Sequence, residues 1–125
     1  MNEIKFRALD QKNEWQYGYY EEILVGIGKT KGIIHKFCDW NLNMDIEVNT
    51  KTVCQYTGLK DKNGKKIYEG DLFKSDSLIE PKFEIVEWDN YSACFEPFGN
   101  DYYSQSPNLG EVIGNIYENP ELIKE

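Results

Sequence analysis

The placement of glycine and proline constrains this chain more than any other feature. No window of about eleven or more residues sets apolar side chains at i, i+3, i+4 and i+7 without one of these breakers interrupting it, so an amphipathic helix has nowhere to form. Short alternating runs take its place. Ile4, Phe6 and Ala8 alternate with Lys5 and Arg7, as a strand with one buried face requires, and the polar stretch from Asp10 to Glu14 reads as a turn into a partner strand from Trp15 to Tyr20. Glu22 to Ile27 and Ile33 to Phe37 read as two further strands, separated by a glycine-rich turn from Gly26 to Gly32. Ile46 and Val48, then Val53 and Tyr56, continue the strand texture. Phe83 to Trp88 is the clearest strand of the second half, with Ala93 to Phe95 behind the turn Asp89-Asn90 and Val112 to Tyr117 closing the set. The expectation is a mainly β fold with one short helical turn at the end, where Asn119 caps, Pro120 takes the first position and Glu121 favours the positive end of the dipole. Ser75 to Glu80 and Phe98 to Asn108 have the composition of longer surface loops.

The densest turn signals lie between Gln55 and Phe73, in the tract QYTGLKDKNGKKIYEGDLF. Asn63-Gly64, flanked by lysines, supplies two residues suited to the positive-φ positions of a tight hairpin turn. Glu69-Gly70-Asp71 marks a second reversal before the apolar pair Leu72-Phe73. Both signals describe architecture.

This tract resembles the signature of the YopX-like family of phage and prophage proteins, whose members carry a stretch reading roughly YTGLKDKNGKEIYEGDIV. An opening run from Ile4 to Asp10 and a closing run from Gly114 to Leu122 are similar to the same family, while Leu9 stands where the family usually has a tryptophan. The positions that carry the resemblance are Tyr56, Gly58, Asp61, Asn63, Gly64, Tyr68, Glu69, Gly70, Asp71, Gly114 and Asn115. The resemblance implies a mainly β fold with an SH3-like barrel, preceded by N-terminal hairpins, and an origin in a phage or prophage. It implies no activity.

With 125 residues, 40% of them hydrophobic and 14% aromatic, the chain is expected to form one domain, residues 1–125, with a core that needs no metal or disulfide. Its formal charge of -8 repels phosphate backbones and anionic membranes, which argues against nonspecific nucleic-acid binding. A local basic patch has one candidate, the lysines Lys60, Lys62, Lys65 and Lys66 around the hairpin turn; a solvated turn that keeps the chain soluble is the stronger explanation of them. Three cysteines, Cys38, Cys54 and Cys94, are an odd number at irregular spacing, which points to a reducing, cytoplasmic setting. The first residues carry charges where a signal peptide would be apolar, and no apolar run reaches membrane-spanning length.

Residues with chemical potential are few. His35 and Cys38 have an H-x-x-C spacing, but a zinc site generally needs four ligands and the other cysteines are remote in sequence. Glu69 and Asp71 form a carboxylate pair across one glycine, which suits acid–base work at a cleft mouth, but a turn in which Asp71 accepts backbone hydrogen bonds is the favoured reading. Lys62-Asn63-Gly64-Lys65 lacks the spacing and following helix of a phosphate loop. No catalytic, metal or cofactor pattern stands out. Eighteen aromatics (3 Trp, 9 Tyr and 6 Phe) exceed what one small core takes in, so Tyr17, Tyr19, Tyr20, Tyr91, Tyr102 and Tyr103 are candidates for a contact surface. The leading expectation is a non-catalytic module that binds a protein partner or itself. The alternative is an accessory to host or phage nucleic-acid machinery acting through an acidic face that includes Glu84, Glu87 and Asp89.

Overall fold

The computed structural model describes residues 5–37, 43–76, 83–91, 93–99 and 106–122. The fold is mainly β, with antiparallel strands and only single 3-10 turns at Thr50–Thr52, Pro107–Leu109 and Pro120–Leu122. The chain divides into two compact units, Met1–Tyr56 and Thr57–Glu125.

In the first unit β1 (Phe6–Leu9), β2 (Trp15–Gly26), β3 (Lys29–Phe37) and β4 (Asn43–Val48) pair antiparallel in the order β4-β3-β2-β1, and the first residues of β5 (Cys54–Lys60) pair with β1. Two expected strands, Trp15 to Tyr20 and Glu22 to Ile27, are one continuous strand of 12 residues. The glycine-rich turn expected from Gly26 to Gly32 contracts to Ile27 and Gly28, because Gly26 pairs with Lys29 and Gly28 alone takes a positive φ, 72°. Gly32 lies within β3 for a packing reason: a Cβ there would sit 2.9 Å from the Tyr20 hydroxyl and from the Thr50 methyl. Ala8, Ile34 and Val48 form the core of this unit, with Phe6, Tyr20, Ile46 and Val53 packed against them. Fully burying an Ile or Val side chain such as Ile34 or Val48 contributes roughly 1.5–3 kcal/mol. On the opposite face of the sheet the Arg7 guanidinium lies 4.3 Å from the centre of the Trp15 ring.

In the second unit β6 (Lys66–Tyr68) neighbours β5, and a three-stranded sheet runs in the order β11-β7-β8 with β7 (Asp71–Ser75), β8 (Phe83–Ile85) and β11 (Gly110–Asn115). A separate two-stranded ribbon joins β9 (Glu87–Asp89) to β10 (Cys94–Glu96). The single strand expected from Phe83 to Trp88 is thus broken at Val86. That residue is fully buried, and its backbone turns to bond Asp71 (N to O, 2.9 Å) and Gly70 (O from N, 2.7 Å). Ile67, Phe73 and Val86 form the core here, with Leu59, Phe95, Phe98 and Val112 around them. Among the described residues no pairing closes a sheet on itself, so the closed SH3-like barrel implied by the family resemblance is not formed by these strands.

The final turn, Pro120–Leu122, falls where Asn119-Pro120-Glu121 predicts it. The Asn119 side chain has another duty: its Oδ1 accepts from the Asn115 backbone N–H at 3.2 Å, reaching back along the chain. No helix among the described residues is long and apolar enough to cross a membrane.

Candidate functional site

The family signature folds into a set of buried hydrogen-bond anchors. Asp61 is only 5% exposed, and its carboxylate accepts three backbone N–H groups: Asn63 at 2.9 Å and Lys65 at 3.0 Å on Oδ1, and Val112 at 2.9 Å on Oδ2. Burial pushes its pKa up, but the donors from Val112, Lys65 and Asn63 outweigh burial and hold the carboxyl below its ordinary value. Asp71, 1% exposed, accepts from the Tyr68 N–H at 2.8 Å, so it closes the turn from behind, three residues back. Asn115 is likewise buried. Its Oδ1 accepts from the N–H groups of Tyr117 and Glu118, and its Nδ2 donates to Glu118 Oε1. Gly64 and Gly70 take positive φ at these turns, Gly58 does so within β5, and a Cβ at Gly114 would lie 2.4 Å from Asn119 Oδ1. Tyr56 and Tyr68 are buried, and Glu69 is half-buried.

The Asn63-Gly64 turn differs from the tight two-residue type. Gly64 has φ 80° while Asn63 does not enter the positive region; Asp61 N bonds Lys65 O at 2.9 Å and Gly64 N bonds Asp61 O at 3.0 Å. This is a three-residue loop, a type I turn followed by a left-handed residue. The same construction occurs at Asp10 to Glu14. There Asp10 N bonds Glu14 O, Asn13 N bonds Asp10 O, Asn13 takes φ 61°, and Asp10 Oδ1 accepts from the N–H groups of Lys12 and Glu14. The signal that sequence reading missed is the shared spacing of an aspartate and, three residues on, Asn or Gly, which tolerate the left-handed conformation.

The candidate reactive groups are engaged elsewhere. His35 Nδ1 is 2.7 Å from Asp45 Oδ1 and Nε2 is 3.4 Å from Glu21 Oε1, on an exposed sheet face of the first unit. The hydrogen bond that the imidazole donates to Asp45 outweighs burial and lifts His35 above its ordinary 6.5. That ion pair contributes stability in full below the ordinary value and loses it as pH rises through the raised one. Asp45→Asn is expected to lower the His35 titration midpoint, which the imidazole proton shifts in an NMR titration check directly. Cys38 lies outside the described residues; Cys54 is buried and Cys94 half-buried, both as free thiols. Among the described residues no group of three or more His, Cys, Asp or Glu side chains is placed to hold a metal ion. Of the lysines, Lys62 clasps both oxygens of Asp76 at 3.0 Å, while Lys60 and Lys65 are exposed and Lys66 half-buried. Glu84 belongs to the three-stranded sheet, whereas Glu87 and Asp89 belong to the β9–β10 ribbon, where Asp89 Oδ1 accepts from Tyr91 N–H at 3.0 Å.

The candidate contact tyrosines separate by strand parity. Tyr20 points to the core, tilted against Phe6 with ring centres 6.1 Å apart, and its hydroxyl donates to Glu22; burial and that carboxylate push its pKa up to about 12. Tyr17 and Tyr19 point the other way and are 44% and 53% exposed. Tyr91 is fully exposed at a turn, and Tyr102 and Tyr103 lie outside the described residues. A feature not anticipated follows along the same strand. β1 pairs with β2 only as far as Gly18 and β4 pairs with β3 only as far as Gly32, so beyond these levels β2 and β3 form a two-stranded ribbon among the described residues. Every residue from Glu21 to Lys31 is exposed, including Ile23, Leu24, Val25 and Ile27.

Open antiparallel sheets in two units, with buried carboxylates and amides that hold turns, define an all-β protein. The chain belongs to the YopX family: the family described as YopX protein matches residues 5–124. Among solved structures it is similar to protein EF1440 from Enterococcus faecalis, at 24% identity and a TM-score of 0.58 over 99% of this chain and 100% of that one, a likeness of fold. Comparison with curated proteins finds no match.

Proposed function

We propose that this chain is a non-catalytic protein-association module, a cytoplasmic phage or prophage protein whose contact surface is the β2–β3 ribbon. One observation carries the reading: four apolar side chains gather on the ribbon with exposures of 37% for Ile23, 78% for Leu24, 47% for Val25 and 103% for Ile27. An isolated two-stranded ribbon gains little stability of its own, and a clustered apolar surface in water is the common mark of a binding face. Of the polar candidates for catalysis, Asp71 is committed to a turn and His35 to Asp45 and Glu21 in a different unit, which favours binding over chemistry. Light scattering on the purified chain, joined to affinity capture from host extract, tests this. The expected result is either a mass above the 14.7 kDa of one chain or a captured partner, lost in both cases by Ile23→Ser/Leu24→Ser/Ile27→Ser. A chain that remains monomeric and captures nothing overturns it.

A further inference from the structure

We infer that the partner of the ribbon is a second copy of this chain, stacked antiparallel on the face that carries Tyr19, Glu21 and Ile23; the inference rests on the association reading above.

Strand alternation divides the ribbon into two faces. Tyr20 packs into the core, so Tyr20, Glu22 and Leu24 share the core side of β2 and Tyr19, Glu21 and Ile23 the outer side; Val25 follows Leu24 as the extra residue of a bulge, before Gly26 pairs with Lys29. The pairings carry that outer face across the sheet in rows: Tyr19 beside His35 and Asp45, Glu21 beside Ile33 and Glu47, and Ile23 beside Lys31. Lys29, two residues from Lys31, shares its side of β3. The face is therefore polarised along its length. Carboxylates (Glu21, Asp45, Glu47) occupy the end near the body of the sheet, lysines (Lys29, Lys31) occupy the tip, and Ile23, Ile33 and Tyr19 lie between and among them.

A surface with opposite charges at its two ends complements itself when a copy is turned end for end. Two-fold symmetry makes both contacts at once, because whatever one copy's tip meets on the other is met in return. With the bulge at Val25 set over Tyr19 of the second copy, the antiparallel stack brings Lys31 over the row Glu21–Ile33–Glu47 of that copy, and Lys29 over the row Tyr19–His35–Asp45. Apolar side chains then cover apolar side chains at the usual separation of packed sheets, about 10 Å. Lys31 meets Glu21 and Glu47, and Lys29 meets a row with one carboxylate, Asp45, which also bonds His35. A parallel stack would set lysine against lysine and carboxylate against carboxylate, so the charges select the antiparallel arrangement. Lys31 already pairs with Glu47 of its own chain at 3.4 Å, with both side chains two-fifths or more exposed, a pairing weak enough in water to be shared.

Charge exchange tests this directly. Sedimentation of the full chain should show a dimer. Lys29→Glu/Lys31→Glu and, separately, Glu21→Lys/Glu47→Lys should each raise the dissociation constant by about 100-fold or more, since each places like charges at both contacts. An equimolar mixture of the two variants should restore the dimer as a heterodimer, because every contact is then again between opposite charges. Ile23→Ser/Val25→Ser should also dissociate the dimer, whereas Leu24→Ser, on the other face, should leave its mass unchanged; circular dichroism verifies that each variant is folded. A dimer indifferent to both charge reversals, or a mixture that fails to pair, overturns the inference. A wild-type chain that stays monomeric overturns it too, and leaves the association reading standing only if the ribbon captures a different protein that Ile23→Ser/Leu24→Ser/Ile27→Ser loses.

Discussion

Asp61→Ala is expected to lower stability by about 3 kcal/mol, while Asp10→Ala, at a turn of the same construction, costs much less. Both aspartates accept two turn N–H groups on Oδ1. They differ in what the second oxygen does. Asp10 Oδ2 accepts from the Gln16 side chain, which water readily replaces, whereas Asp61 Oδ2 holds the Val112 N–H of β11, 51 residues away, from a nearly buried position. Removing Asp61 leaves a strand donor without a partner as well as a loosened turn, and hydrogen bonds to an ionised, buried acceptor are the stronger kind. Urea denaturation of the two alanine variants is the measurement, with amide exchange at Val112 as the local readout; equal losses would show that the long-range bond carries no weight. The pH dependence has a fixed sign. Because the folded pKa lies below 3.8, the Asp61 contribution is present above 3.8 and is lost as pH falls through the lowered value, so Asp61→Asn should flatten the acid side of the stability curve.

How far such features are legible in sequence depends on whether their cause is local. The turn at Asp10 to Glu14, the first hairpin and the closing turn at Pro120 have their causes within a few residues and were readable. Asn63-Gly64 marked a real reversal, but Asp61, by bonding two N–H groups ahead of it, sets a three-residue loop instead of the tighter form. Phe83 to Trp88 alternates like one strand, and only the distant Gly70 and Asp71, which bond Val86, divide it between two sheets. The candidate site shows the same boundary. Alternation says that Tyr19 and Tyr20 face opposite ways, yet which of them is buried depends on Ala8, Ile34 and Val48 arriving from three other strands. The apolar run Ile23-Leu24-Val25 reads as an ordinary strand interior; it is exposed where, among the described residues, neither β1 nor β4 pairs alongside β2 and β3. Likewise nothing near Asp61 announces Val112.

Phe73→Ala is expected to cost about 3–5 kcal/mol, a large part of the stability of a unit of this size. The ring is fully buried at the centre of the second core, edge-on to Phe98 with centres 4.9 Å apart, and Ile67 and Val86 enclose it. Three residues so tightly placed collapse little into the space left behind, so the cavity penalty adds to the lost transfer energy. Gly110 is the other half of the fit. A Cβ there would lie 2.4 Å from Phe73 Cζ and 2.5 Å from the Lys74 carbonyl oxygen, so the ring and β7 are seated against bare backbone. Gly110→Ala should accordingly cost about 1–3 kcal/mol by overpacking. The two changes share one space, and their effects should not add: with the ring gone, the added methyl meets only the Lys74 carbonyl, and the double variant should fall short of the summed losses by about 1 kcal/mol. Chemical denaturation of the two single variants and the double variant measures that difference. Strict additivity would mean that Phe73 is held by its aromatic neighbours alone and that Gly110 owes its identity to the strand backbone.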